Sequence, residues 1–167
     1  MLDDFSRYVI AWRLCTGMTA SDVSVTLELA MTASGCHDVP LRQRLQLLSD
    51  NGPGFISSVF AQWLEQHGIQ HVRGAPAHPQ TQGKIERRHQ TMKNLILLEN
   101  YYLIGALEAE IAQFVEQYND RRYHESLSNL TPADVYLSRR QTILLERERI
   151  KRRTIQHRRS TLYRNKT

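Results

Sequence analysis

Short β-prone apolar runs alternate with helix-patterned segments through the first half of the chain, and this alternation restricts the fold more than any other feature. Arg7–Leu14 (RYVIAWRL) reads as a strand, and Asp3-Asp4-Phe5-Ser6 before it as the end of an earlier strand and a turn. Thr19-Ala20-Ser21-Asp22 offers helix caps; Val23, Val25, Leu27, Leu29, Ala30 and Ala33 follow, and Gly35 closes the helix. Leu45–Ser49 is an apolar run that stops at the tight turn Asp50-Asn51-Gly52-Pro53-Gly54. Phe55, Val59, Phe60, Trp63 and Leu64 predict a helix over Phe55–His67, ended by Gly68, and Ile69–Arg73 is a further short strand. Gly74–Pro79 holds two prolines and reads as a loop. Helical patterning resumes over Thr81–Asn100 and over Ile104–Arg121. Thr131 caps another helix with Pro132 at its first position, and a charged helix runs on from Ser138 toward Arg159. Strands alternating with helices predict an α/β layer structure with a partly parallel sheet.

Charge divides the chain in two. The net charge is +5, yet residues 139–167 hold eleven Lys and Arg against two acids, while residues 1–138 carry −4. A basic tail on a mildly acidic body points either to a polyanionic partner such as nucleic acid or to a helix kept soluble by its own charge. The expected units are therefore a body over 1–138 and a basic helical tail over 139–167. No run of about 18 apolar residues is present to cross a bilayer. Cys15 and Cys36 lack CxxC spacing and read as free thiols.

Two acids stand out for chemistry. Asp50 directly follows an apolar strand, and in α/β sheets ligands gather at the carboxyl ends of strands. The local sequence leaves two readings open: a rigidly held, solvent-open carboxylate, or an Asp that starts a turn. Glu86 lies early in the helix after the Pro-rich loop, with Gln82 four residues before it and Lys93 seven after it on nearly the same face. An acid, an amide and a base so placed suit a metal and phosphates together; the other reading is a helical Glu paired on a solvated face. Thirty-five residues separate Asp50 from Glu86. His67, His71, His78 and His89 do not form a compact zinc set with the cysteines.

Five segments in series carry a resemblance. They are Leu2-Asp3-Asp4-Phe5-Ser6-Arg7, Ser49-Asp50-Asn51-Gly52-Pro53-Gly54-Phe55, His78–Arg87 (HPQTQGKIER), Tyr118–Leu127 (YNDRRYHESL) and Thr131–Tyr136 (TPADVY). Together they resemble the catalytic core of the retroviral-integrase superfamily, and more narrowly bacterial insertion-sequence transposases of the three-carboxylate (DDE) class. The resemblance implies an RNase H-like fold: a mixed sheet flanked by helices, here with a C-terminal helical extension. It implies a DNA transposase or integrase core that hydrolyses phosphodiesters and transfers strands with two Mg²⁺ (or Mn²⁺) ions. Asp50 matches the second carboxylate and Glu86 the third, as catalytic and metal-binding residues. Gln82, Lys84, Arg87, Arg88 and Lys93 become DNA-binding candidates that position phosphates rather than read bases. The implied partners are DNA, as transposon ends and target, and further copies in a homo-oligomer or in assembly with intact transposase, with no membrane. The implied location is the bacterial cytoplasm, at the nucleoid when DNA-bound.

The sequence departs from that pattern at its start. The family's first carboxylate sits on a central strand that would precede Met1, and Asp3 matches a non-catalytic position. The expectation is an N-terminally truncated copy lacking the first strand and first catalytic Asp, inactive alone. The alternative is a non-catalytic DNA-binding or transposase-assembly remnant.

Overall fold

The structure is a computed structural model that describes residues 1–36, 46–74, 83, 90, 93 and 104–164. Helix α1 (Ala20–Ser34) starts where the sequence places it. Thr19 and Asp22 form a reciprocal capping box, and Gly35 ends the helix in the left-handed conformation at φ 68°. Both devices satisfy backbone groups that the terminal turns leave without partners.

Strands β1 (Gln46–Ser49) and β2 (Gln70–Arg73) pair in parallel, in the register Gln46↔Gln70 through Ser49↔Arg73. Parallel neighbours need a crossover. Here it is supplied by a single short turn of helix, α2 (Pro53–Ile56), and by α3 (Ser58–Gln66). The sequence predicts one helix over Phe55–His67, and the structure divides it. Ser57 is extended at ψ 143° and caps α3 by accepting from the Phe60 N–H. Phe60 and Leu64 of α3 are buried with Val23, Leu27 and Met31 of α1, and Leu47, Phe55, Trp63 and Ile69 pack against them. This cluster fixes β1 against the two helices.

The predicted strand Arg7–Leu14 is corrected. Residues 1–10 form a hairpin-like turn with one antiparallel bridge, Leu2↔Val9, flanked by the bonds Asp3 N–H to Tyr8 O and Ile10 N–H to Met1 O. The turn is built by the Asp3 carboxylate, which accepts from the backbone and hydroxyl of buried Ser6, while Arg7 takes φ 65°. The pairing continues past Val9, since the Met1 amino group donates to Ala11 O, and on the other edge of the segment a side chain takes the place of a neighbouring strand. Asn119 Oδ1 accepts from Val9 N–H at 2.9 Å and its Nδ2 donates to Val9 O at 3.1 Å. Asn119 belongs to α4 (Ile104–Asp120), whose Ile111, Phe114, Val115 and Tyr118 bury Val9.

After α4, Leu127 and Leu130 turn inward and pack with Val135 of α5 (Pro132–Tyr136). Thr131 and Asp134 repeat the capping box, with Pro132 in the first turn. Tyr136 stacks on Tyr8 at 4.4 Å between ring centroids, which ties α5 to the hairpin. Helix α6 (Arg140–Arg164) runs five residues past the expected end. Its first turns rest on the Leu127–Leu130–Val135 cluster through Ile143 and Leu144. Of the predicted helix over Thr81–Asn100, only Gly83, Gln90 and Lys93 are described, and all three are helical. No helix among the described residues is long and apolar enough to cross a membrane.

Candidate active site

The parallel pair β1–β2 delivers Asp50 to the carboxyl end of the sheet, and a small hydrogen-bonded frame holds it there. Gly74 N–H donates to Ser49 O at 2.9 Å, and Asn51 Nδ2 donates to Gly74 O at 3.1 Å. The two strand ends are thereby laced together on both sides of Asp50. Asp50 is exposed, and its Oδ1 accepts from Gly52 N–H at 2.9 Å. Both sequence readings of Asp50 thus hold at once: it starts the turn, and the turn fixes the carboxylate. Gly52 is part of the fixing, since a Cβ there would stand 2.9 Å from Asp50 Oδ1. Gly54 plays a packing role: a Cβ would come within 3.0 Å of Met18 O and 3.2 Å of Val23, so only glycine lets α2 lie this close to α1.

Beneath this rim, buried Ser49 and half-buried His71 share a hydrogen bond of 2.8 Å between Oγ and Nε2, and Ser49 Oγ also reaches Asp50 O at 2.8 Å. Burial, then the charge of Arg73, pushes the His71 imidazole below its ordinary range. A neutral His71 serves as a fixed partner for Ser49, not as a cation beside Asp50. Sequence reasoning did not single out Ser49, Asn51 or Gly52, and it took Gly74 only as the start of a loop beside the site. The Asn51-Gly52-Pro53 turn was a visible signal for two of them. The Ser49–His71 pair had none, because it depends on a parallel register linking residues 22 apart.

Of the site residues expected from sequence, the described ones are Asp50 and Lys93; Lys93 is exposed and helical. Gln82, Lys84, Glu86, Arg87 and Arg88 lie outside the described residues, as do His78 and His89. Among the described residues no group of three or more His, Cys, Asp or Glu gathers as a metal cluster. Cys15 and Cys36 are free. Asp50 presents an open carboxylate at the end of the paired strands, the hard oxygen donor that Mg²⁺ favours.

Comparison with known proteins sets this geometry in a family. Two profiles described as Integrase core domain match residues 1–79 and 67–132. The chain belongs to the integrase core family. Its insertion-element relative from Xanthomonas euvesicatoria, the IS476 uncharacterized 39.2 kDa protein, is 30% identical over 134 residues, covering 80% of this chain and 37% of the relative. The Gag-Pro-Pol polyprotein of squirrel monkey retrovirus is 30% identical over 95 residues, which is 57% of this chain and 5% of that polyprotein. This integrase core thus spans little more than a third of its insertion-element relative.

Solved structures show the same fold. One chain of the simian T-cell lymphotropic virus intasome, solved with PP2A regulatory subunit B56 gamma, superposes with TM-score 0.63 at 21% identity, covering 81% of this chain and 46% of that one. The catalytic core domain of BIV integrase gives 0.55 at 24% identity, covering 79% and 80%. The HTLV-2 integrase catalytic core domain, solved in complex with magnesium, gives 0.57 at 23% identity, covering 81% and 80%. The RNase H-like α/β class expected from sequence is the class of these neighbours.

Proposed function

We propose that this integrase core acts in DNA integration, by divalent-metal-dependent hydrolysis and strand transfer at phosphodiesters. The observation that carries the reading is Asp50: an open carboxylate, held by the Gly52 N–H, at the carboxyl end of a parallel strand in a chain of this family. Asp50 and Glu86 are the residues proposed to hold two Mg²⁺ or Mn²⁺ ions. A bound pair of such ions would supply positive charge to the attacking and leaving oxygens of an in-line displacement. The chain's own part is to keep Asp50 in place without reorganisation, through Gly52, Asn51 and the Ser49–His71 pair. Gln82, Lys84, Arg87, Arg88 and Lys93 are proposed to seat DNA phosphates on the helix that carries Glu86. The partners proposed are transposon-end and target DNA, and further copies of the transposase.

The test is a joining and nicking assay on donor-end duplex with Mn²⁺ and with Mg²⁺, run on the chain extended upstream by a strand that carries the first carboxylate and on the Asp50→Asn and Glu86→Gln variants of that extended chain. Loss of all metal-dependent product in either variant supports the reading; full product in both contradicts it. A second reading, DNA binding or assembly without chemistry, is favoured by the basic helix α6, which owes nothing to the carboxylates. That reading expects DNA binding with no metal-dependent product from the extended chain.

A further inference from the structure

Helix α6 is an unusual object for a surface helix. Its 25 residues carry nine Lys and Arg against two Glu, and after Glu148 no acid occurs to the end of the chain. At about 1.5 Å per residue it extends roughly 37 Å. Both acids are already engaged: Glu146 pairs with Arg149 and Glu148 with Arg152. Lys151, Arg153, Arg158 and Arg159 are exposed and have no acidic partner among the described residues. A helix polar on every side normally needs many opposite-charge pairs along it, and like charges three and four residues apart repel. The outer half of α6 therefore carries a concentration of unneutralised positive charge.

Its direction is fixed at the root. Arg147 donates from Nη1 to Ser128 O at 3.0 Å and from Nη2 to Asn129 O at 2.9 Å. Both residues stand at positive φ, 62° and 54°, so the turn itself presents its carbonyls to the guanidinium. Ile143 and Leu144 add an apolar footing. Beyond that footing no apolar seam forms among the described side chains. Leu145, Ile150 and Ile155 are exposed and five residues apart, so they wind around the helix; Ile155 and Leu162 share a face two turns apart, but Arg158 and Arg159 stand between them where the three-and-four-residue seam of a coiled coil needs apolar residues. A second copy of the chain finds no stripe to pack on. Duplex DNA, with one negative charge per about 1.7 Å of axis, offers the opposite sign at a density that can meet every unpaired cation of the helix.

We propose that α6 is a pre-aimed basic arm: pinned by Arg147, it grips the phosphate backbone of duplex DNA without regard to sequence, outside the carboxylate site. This rests on the reading that the chain acts on DNA, and it assigns an element and a binding mode which that reading leaves open. The test uses the full chain and a random-sequence duplex, with affinity measured by fluorescence anisotropy from 50 to about 300 mM salt, where each phosphate contact steepens the logarithmic slope by about 0.9. In the variant K151Q/R153Q/R158Q/R159Q, glutamine keeps helix propensity, so unchanged circular dichroism controls for folding. The proposal expects the slope to flatten by about three to four and low-salt affinity to drop at least tenfold. The variant R147M, which keeps the distal cations, is expected to bind several-fold more weakly with a slope lower by no more than about one. A parent that binds DNA while the quadruple variant shows the same slope overturns the arm and leaves the DNA reading standing. A parent that binds no duplex even at low salt overturns both. Loss of self-association in the quadruple variant with DNA binding intact also overturns the arm and gives it to a second copy.

Discussion

Asn119 shows how one side chain can stand in for a neighbouring strand. Its amide satisfies both Val9 backbone groups in a buried setting, so removing it strands two polar groups at once. Asn119→Ala is expected to cost about 2–4 kcal/mol, read as a lower urea midpoint. Gly52→Ala makes the opposite kind of change. The new Cβ would press on Asp50 Oδ1, a movable side-chain atom, so the fold should survive while the carboxylate is displaced. Thermal stability near that of the parent with weakened Mn²⁺ binding is expected; unaltered metal binding would remove Gly52 from the site. His71 and His124 set the pH response. Burial lowers both, with Arg73 adding at His71 and Arg7 and Arg122 adding at His124, whose Nε2 is buried without a partner among the described residues. The unfolded chain then binds protons more readily than the folded one. Stability is therefore full above about pH 6.5 and is lost as the pH falls below it. Urea midpoints at pH 7.5 and 5.5 should differ in that direction, and His124→Gln should narrow the gap.

At the level of elements, what could be read from sequence was what local chemistry decides. Thr19 with Asp22, Gly35, and Thr131 with Pro132 and Asp134 mark helix ends by capping rules alone, and the structure places the ends there. Thr19→Ala should lower stability by about 1 kcal/mol, with the loss confined to α1 by amide exchange. The short apolar runs around Leu47 and Val72 gave the two parallel strands. The failures needed tertiary information. RYVIAWRL has every β-prone residue a strand wants, but its neighbour is an amide on a helix 110 residues away. The break at Ser57 is a cap in the middle of an apolar period, and periodicity alone smooths over it. Phe60 is fully buried between α1, α3 and β2, and its ring meets His71 edge-on at 5.8 Å. Phe60→Ala is expected to cost about 3–5 kcal/mol, and to loosen the sheet end that holds Asp50.

For the molecule as a whole, the described residues form three apolar clusters; Asn119 to Val9 braces the first and Arg147 to the turn at Ser128 and Asn129 braces the third, while the Tyr8–Tyr136 stack links the hairpin to α5. Asp50 sits on the cluster of α1 and α3, and the basic helix rests on the cluster of α5. The proposed chemistry and the proposed charge-driven binding therefore rest on separate apolar clusters. The sequence made Asp50 legible through its place after an apolar run, and made the basic arm legible through composition. It did not show the frame of Ser49, Asn51, His71 and Gly74, which exists only once β1 and β2 pair. The claim on which the proposed function turns is that Asp50 and Glu86, with 35 residues between them in sequence, hold the same ions. Mn²⁺ titration of the parent, Asp50→Asn, Glu86→Gln and the double variant tests it directly. Shared ligation predicts that each single change weakens binding at least tenfold, about 1.4 kcal/mol, and that the double variant is little worse than either. Unchanged binding in one single variant, or losses that simply add, would show that the two carboxylates do not share a metal.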